Sequence, residues 1–452
     1  PQYNHPLNDE RAVKAWKTLQ EAVKRIEHTT PLERRLIEAL KLRNSEGEFD
    51  KEEQAARDKD YADAMAKIWN DFPNDRDVGT LYAEAMMALR PWKLYTQDGE
   101  PEEDTPKILS TLERVIALQP NHPGALHYYI HAMEPSRNPG KALFAADRLG
   151  DLVPSSGHLL HMPCHIYVQT GDWDRAIVQS RKAMKADDDY RKRVADPGVQ
   201  YGYMIHNSHM LSFAAMMSGR KEDALMAARD MWDGITEDVI AEYSDGFDHN
   251  MCAVFDVYKR FGQWQKILDE DAPPQSLPLT RATWRASRAV AHANLGDFDA
   301  AAFEYGKFRE AYHNVDEERY WGTVPAKRVL DVSDHFVAGE IALRKGILAA
   351  NEGIPEEADV HFAKAEQILI KAVEVEDALG YGEPPQWLQP VRHTLGGVYL
   401  LRGDFANAER VYRKDLAKWE KNIWSLEGLR QALEKQEKLT EAEAVAAQLS
   451  EM

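Results

Sequence analysis

The sequence predicts an all-α, helical-repeat solenoid, and three observations carry that prediction. Apolar residues recur at spacings of three and four over long stretches, while strand-like alternation is nearly absent. The breaks between stretches share one chemistry. Gly171-Asp172-Trp173, Gly296-Asp297-Phe298 and Gly403-Asp404-Phe405 each offer a glycine to end a helix, an aspartate to cap the next and an aromatic to seal the turn. Histidine spacings also recur in step. His127-x3-His131 returns 34 residues later as His161-x3-His165, and 34 residues is the length of a stacked helix-turn-helix unit.

Taken in order, the helical spacing covers Asp9 to Glu27, Lys107 to Leu118, Ala363 to Leu379 and Ala406 to Trp419, with further turns marked by Gly219 and by Gly262 ahead of Trp264. Units begin near Pro123, Gly157, Ile205, Asp248, Ala282 and Gln389. His158-x2-His161 recurs as His206-x2-His209 after 48 residues rather than 34, and a longer connection around Asp187 to Gln200 accounts for the difference. The expectation is one solenoid over residues 1–452 with about ten helix pairs. It divides into irregular repeats at 1–104, histidine-rich repeats at 105–262 and C-terminal repeats at 263–452.

Composition sets limits on function. A hydrophobic content of 44% supports a sizeable core, so the bulk is not disordered. A formal charge of −19 repels phosphate backbones and anionic lipid heads, which argues against nucleic-acid partners. No apolar run reaches the roughly 18 residues that a membrane helix needs, so no membrane insertion is expected. Cys164 and Cys252 are the only cysteines and build no disulfide framework. The chain starts at Pro1 without methionine. A soluble protein is expected, cytoplasmic or periplasmic, the latter after removal of a leader.

Eight of the 16 histidines fall between His122 and His209. With the turn glycine at repeat position 15, His127, His161 and His209 share position 5, His158 and His206 share position 2, His131 and His165 share position 9, and Glu134 is position 12. Residues three and four apart on a helix are neighbours, and packed helices lie roughly 8–10 Å apart, so imidazoles from successive units can converge. Neutral imidazole is a common ligand for a transition metal ion. Imidazole mixed with some carboxylate suits Zn, Cu or Fe and disfavours Ca or Mg. His127, His131, His161 and His165 are the central candidate ligands, joined by Glu134, His158, His206 and His209. Glu134 is also the candidate general base beside the ion. Against this stands the plainer reading that duplication of a repeat multiplies a histidine without giving it a ligand role.

The remaining candidates read as structure. His28, His292, His313, His335 and His361 lack a partner pattern and read as surface or packing residues. Cys252 and His249 extend the stripe, although a buried small thiol is the commoner situation. Trp92 and Trp387 lie in Pro-flanked loops that could rim a pocket. HExxH, Gly-rich phosphate loops, G-x-S-x-G elbows and paired CxxC motifs do not occur.

The packing residues themselves resemble a known repeat. Leu160, Cys164, Tyr167, Ala176 and Ala183 in one unit, and Leu395, Gly396, Tyr399, Ala408 and Tyr412 in another, look like the pattern of the tetratricopeptide (TPR) repeat. More specifically, Tyr3-Asn4-His5-Pro6-Leu7, His127-Tyr128-Tyr129-Ile130-His131, His158 to Tyr167, Leu89-Arg90-Pro91-Trp92 and Glu383-Pro384-Pro385-Gln386-Trp387 are similar to motifs of a histidine-rich group of bacterial TPR proteins. That resemblance implies a right-handed TPR-like solenoid, with positions 2, 5, 9 and 12 facing its concave groove. It also implies that His5 joins the candidate ligands, that a helix pair precedes Pro1, and that Cys164 stands where the group has serine. There it is either a soft ligand or a small packing residue. Two functions follow as expectations. One is a metal-binding protein acting as a metalloenzyme on a small-molecule ligand in the groove. The other is a non-catalytic scaffold whose groove holds a peptide or partner protein.

Overall fold

The computed structural model describes residues 9–44, 46, 51–97, 99–194, 198, 200–233 and 236–452. It is all-α and built from successive helical hairpins, as the spacing of apolar residues predicts. Its contacts divide the chain into two compact units, Pro1–Val153 and Pro154–Met452, with the boundary inside the histidine-rich segment 105–262.

Unit 1 contains α1 (Asp9–Val23), α2 (Pro31–Arg43), α3 (Lys51–Asp71), α4 (Arg76–Ala88), α5 (Thr105–Leu118), α6 (Pro123–Met133) and α7 (Leu143–Leu149). The helix expected to run to Glu27 stops at Val23. A capping box then starts α2: Thr30 Oγ1 accepts from the Glu33 amide while the Glu33 carboxylate accepts from the Thr30 amide.

Unit 2 contains α8 (Gly157–His161), α9 (Pro163–Gln169), α10 (Trp173–Arg191), α11 (Gln200–Met217), α12 (Lys221–Asp233), α13 (Glu237–Phe247), α14 (Ala253–Arg260), α15 (Trp264–Asp269), α16 (Pro278–Asn294) and α17 (Phe298–His313). A short hairpin follows, β1 (Tyr320–Trp321) antiparallel to β2 (Val324–Pro325), with Trp321 opposite Val324. Gly322 turns it at φ +59°, the left-handed geometry that two-residue hairpins require. The unit ends with α18 (Ala326–Asn351), α19 (Pro355–Asp377), α20 (Val391–Leu401), α21 (Phe405–Leu416), α22 (Ile423–Lys435) and α23 (Leu439–Ser450).

The recurrent Gly-Asp-aromatic turns form, with one difference. Asp297 and Asp404 cap their helices by accepting from the amides of Ala300 (3.0 Å) and Asn407 (3.2 Å). Asp172 makes no such bond and pairs with Arg175 at 3.4 Å. Its turn is fixed by close packing instead. A side chain at Gly171 would overlap the Glu420 carbonyl, and Trp173 Nε1 donates to that same oxygen at 3.1 Å.

Tight packing accounts for other small residues. The ring of Tyr412 fills the space that a Cβ at Gly396 or Gly428 would occupy, so α20, α21 and α22 interlock around one aromatic. The C-terminal helices also reach back to the start of the unit. Trp424 Nε1 donates to the Met216 carbonyl at 2.7 Å, and the Trp419 and Phe213 rings meet edge to face with centroids 5.4 Å apart.

Beside these contacts lies a buried polar chain. An Arg260 amino group donates to His393 Nδ1 at 2.9 Å, and His393 Nε2 lies 2.9 Å from Asp415 Oδ2. The same oxygen accepts from Asn422 (3.0 Å) and Ser425 (2.7 Å). His393 is thus a packing partner within the core of unit 2.

Candidate metal centre

In unit 1 the site grows from α6. Its first residue is Pro123, and its cap is His122, whose Nδ1 accepts from the Ala125 amide at 3.1 Å. His127 and His131 follow one turn apart with ring centroids at 4.8 Å, and Tyr128 stacks on His127 at 4.9 Å. His131 Nδ1 meets Glu134 Oε1 at 2.8 Å, with both side chains about 1% exposed. A carboxylate in that position accepts a hydrogen bond from Nδ1–H, which fixes the ring orientation and makes Nε2 the nitrogen with a ligand lone pair. Glu134, the candidate general base, is therefore placed to orient His131. The Trp92 ring stands edge-on to His131 at 5.7 Å, and Trp92 itself holds φ +62°, a backbone state that a bulky residue rarely adopts.

In unit 2 the histidines come from α8, α9 and α11. The single helix expected to carry His158, His161 and His165 is interrupted at Met162-Pro163, because Pro163 has no amide hydrogen and opens α9 at its first position. The rings still meet. Centroids lie 4.7 Å apart for His161 and His165, 4.5 Å for His161 and His206, and 5.5 Å for His165 and His206. One nitrogen from each of the three falls within 4.8 Å of the others. His161 and His165 are buried and His206 is half-buried. His165 Nδ1 sits 2.7 Å from Glu383 Oε2, on the loop between α19 and α20.

Asp187 holds these helices in place. Its carboxylate accepts from the Asn207 side-chain amide on α11 and occupies the space where a Cβ at Gly157 of α8 would stand. Burial pushes its carboxyl up to about 6.

The other expected residues are not part of this trio. The His158 ring lies against Tyr203 at 4.5 Å, outside the trio. His209, three residues from His206 and therefore about 60° round the helix, turns to Asn250, whose amide donates to its Nδ1 at 2.8 Å. Cys164 Sγ faces α10, 3.3 Å from the Ala176 carbonyl and 3.2 Å from Ser180 Oγ, and burial pushes its thiol up to about 12. It fills a packing position. Trp387 packs against Phe336 in the core instead of rimming a pocket. His5 lies outside the described residues.

Glu383 was missed by spacing, which cannot connect it with His165 across the sequence. Its only trace was the Glu383 to Trp387 motif.

His209 supplies a pH prediction. Burial, with a smaller push from His249, lowers its pKa to about 3, so the folded protein holds it neutral while the unfolded chain protonates it below about 6.5. Its contribution is complete above 6.5 and is lost progressively as pH falls toward 3. Between pH 6.5 and 5 the loss is about 2 kcal/mol. His209→Asn keeps an acceptor for Asn250 and removes the titration, so urea midpoints at the two pH values should differ less in the variant. Equal pH dependence would refute this account.

Together, fold and donor sets define an α-helical repeat protein with buried histidine clusters. No family model matches the chain, and no curated protein matches it significantly. Among solved structures it is similar to yeast Tom70, at 14% identity with a TM-score of 0.31, over 93% of this chain and 65% of that one. It is also similar to the human IFIT1 dimer with m7Gppp-AAAA, at 11% identity and a TM-score of 0.33, over 98% and 86%. A third likeness is to the P58(IPK) TPR domain, at 13% identity and a TM-score of 0.21, over 90% and 99%. The chain thus spans less than two thirds of the Tom70 chain it matches. Among the described residues, no helix is long and apolar enough to cross a membrane.

Proposed function

We propose that this helical-repeat protein binds a transition metal ion, Zn, Cu or Fe, through His161, His165 and His206. The observation that carries the reading is the convergence of three imidazole nitrogens within 4.8 Å, from helices separated in sequence by a long connection. Tetrahedral ligands at 2.0–2.1 Å from zinc stand about 3.3 Å apart, so small side-chain rotations bring these donors into range. Glu383 on Nδ1 of His165 supplies the carboxylate that fixes ring orientation and leaves Nε2 for the ion. His127 and His131, with Glu134 behind His131, form a second donor set in unit 1.

Three protein ligands leave at least one coordination position for water or a substrate oxygen. A bound ion there lowers the pKa of water and polarises carbonyl or phosphoryl groups, which suits a metalloenzyme acting on a small molecule. The scaffold reading rests on the helical-repeat fold alone and makes no use of the imidazoles.

Metal content decides between them. Purified protein, stripped with chelator and reconstituted separately with Zn, Cu and Fe salts, should retain at least one equivalent of one metal after desalting. Failure to retain any of them, with the protein still folded, would leave only the scaffold.

A further inference from the structure

Unit 1 contains a second candidate site, away from the histidines in the sequence and of different chemistry. Helices α3, α4 and α5 border a cleft of about 370 Å³. Trp69 and Asn70 line it from α3, Tyr82 from α4, and Lys107, Ser110 and Arg114 from α5. On α5 the last three stand at i, i+3 and i+7, which places them on one helical face. Lys107 Nζ lies 5.4 Å from the centre of the Tyr82 ring, and the Arg114 guanidinium carbon lies 5.3 Å from that of Trp69. Both rings are buried. The aromatic floor therefore holds the two cations in position without neutralising them.

Such a pair is unexpected in a chain with 75 acidic and 56 basic side chains. The cleft lining contains no carboxylate among the described residues, and three on its bordering helices have other partners: Asp71 pairs with Arg35, Asp63 with Lys59 at 2.7 Å, and Glu113 accepts from the Tyr129 hydroxyl at 3.1 Å. Among the described residues, neither Lys107 nor Arg114 has a carboxylate within ion-pair distance, and Arg114 reaches only Asn74 Oδ1 at 3.4 Å. Two held cations facing one cleft without a counter-charge call for an anionic ligand.

We infer that this cleft binds the phosphoryl group of a small phosphorylated molecule. A guanidinium fork fills both oxygens of a carboxylate by itself. A phosphate monoester presents three terminal oxygens, enough for the fork and the Lys107 ammonium together, with the Asn70 amide within the same lining. The volume is at the lower end of the range for small-molecule sites, so the remainder of the ligand is small.

Calorimetric titration of the full chain at low salt tests this with glycerol 3-phosphate, inorganic phosphate and glycerol as separate probes. Vesicles of phosphatidylcholine with phosphatidic acid form a further arm. The expected result is saturable binding of glycerol 3-phosphate, with weaker binding of inorganic phosphate and none of glycerol. Lys107→Ala and Arg114→Ala should each weaken the phosphoester about tenfold or more. Both side chains are exposed, so the variants should keep the parent's circular dichroism and melting temperature. Lys107→Arg should retain most of the affinity. Three outcomes overturn the inference: no saturable binding up to about 10 mM, affinity unchanged in both alanine variants, or binding to the vesicles without binding to the soluble phosphoester.

Discussion

Replacing His206 with alanine is expected to lower the affinity for the bound metal at least ~100-fold, since removing a direct ligand should exceed the 10–100-fold cost of losing an outer carboxylate. His161→Ala should do the same, because its ring lies within 4.7 Å of both other imidazoles. Glu383→Gln keeps the shape of the side chain but exchanges one carboxylate oxygen for an amide. It should fall in the intermediate range, about 10–100-fold. Cys164→Ser serves as the control, because the thiol faces Ala176 and Ser180 on α10 and should leave affinity unchanged. Competition titration against a chromophoric chelator measures all four. Wild-type affinity in His206→Ala would refute the proposed ligand set.

The second large effect concerns stability. Asp415→Ala removes the anion at the end of the buried Arg260, His393 and Asp415 chain and takes from the Arg260 guanidinium the larger of its two counter-charges, leaving only Asp256 to offset it. Breaking such a pair from one side costs about 3–5 kcal/mol. The loss is larger than that of one hydrogen bond because Asn422 and Ser425 also lose their acceptor. Asp415→Asn keeps an oxygen for one of these donors and should lose less. Urea denaturation followed by circular dichroism checks both variants. An Asp415→Ala midpoint equal to the parent's would show that the charge is not structurally required.

Much of the helical architecture was legible because its signals are local. Helical period, turn glycines and capping aspartates act over a few residues, and Asp297 and Asp404 cap their helices as their sequence neighbours indicate. The Asp172 turn departs from the pattern because distant residues, Trp173 and Glu420, set its geometry. The hairpin Tyr320–Pro325 escaped a reading based on alternation because two residues per strand are too few to alternate.

The histidine positions were equally local, yet their partners were not. Repeat register placed His161 and His165 one turn apart, and the structure brings His206 to them from the next helical repeat. It also placed His209 with them, although the helical angle between residues three apart turns that ring toward Asn250. Glu383 depends on a loop far along the chain, which periodicity does not address.

The contacts of Trp173 with Glu420 and of Trp424 with Met216 also bear on how unit 2 unfolds. In a linear array each repeat touches only its neighbours, so an end hairpin can fray, or be deleted, at little cost to the rest. Here the last hairpins are stapled to residues near the beginning of the unit. Loss of α22 and α23 would remove Trp424 from Phe261 and the Met216 carbonyl, and Ile423 from Gly219, opening the turn between α11 and α12 and the end of α14. Unit 2 should therefore melt as one cooperative block, and deleting the hairpin that carries Trp424 should destabilise helices about 200 residues earlier, unlike loss of an end repeat in a linear array.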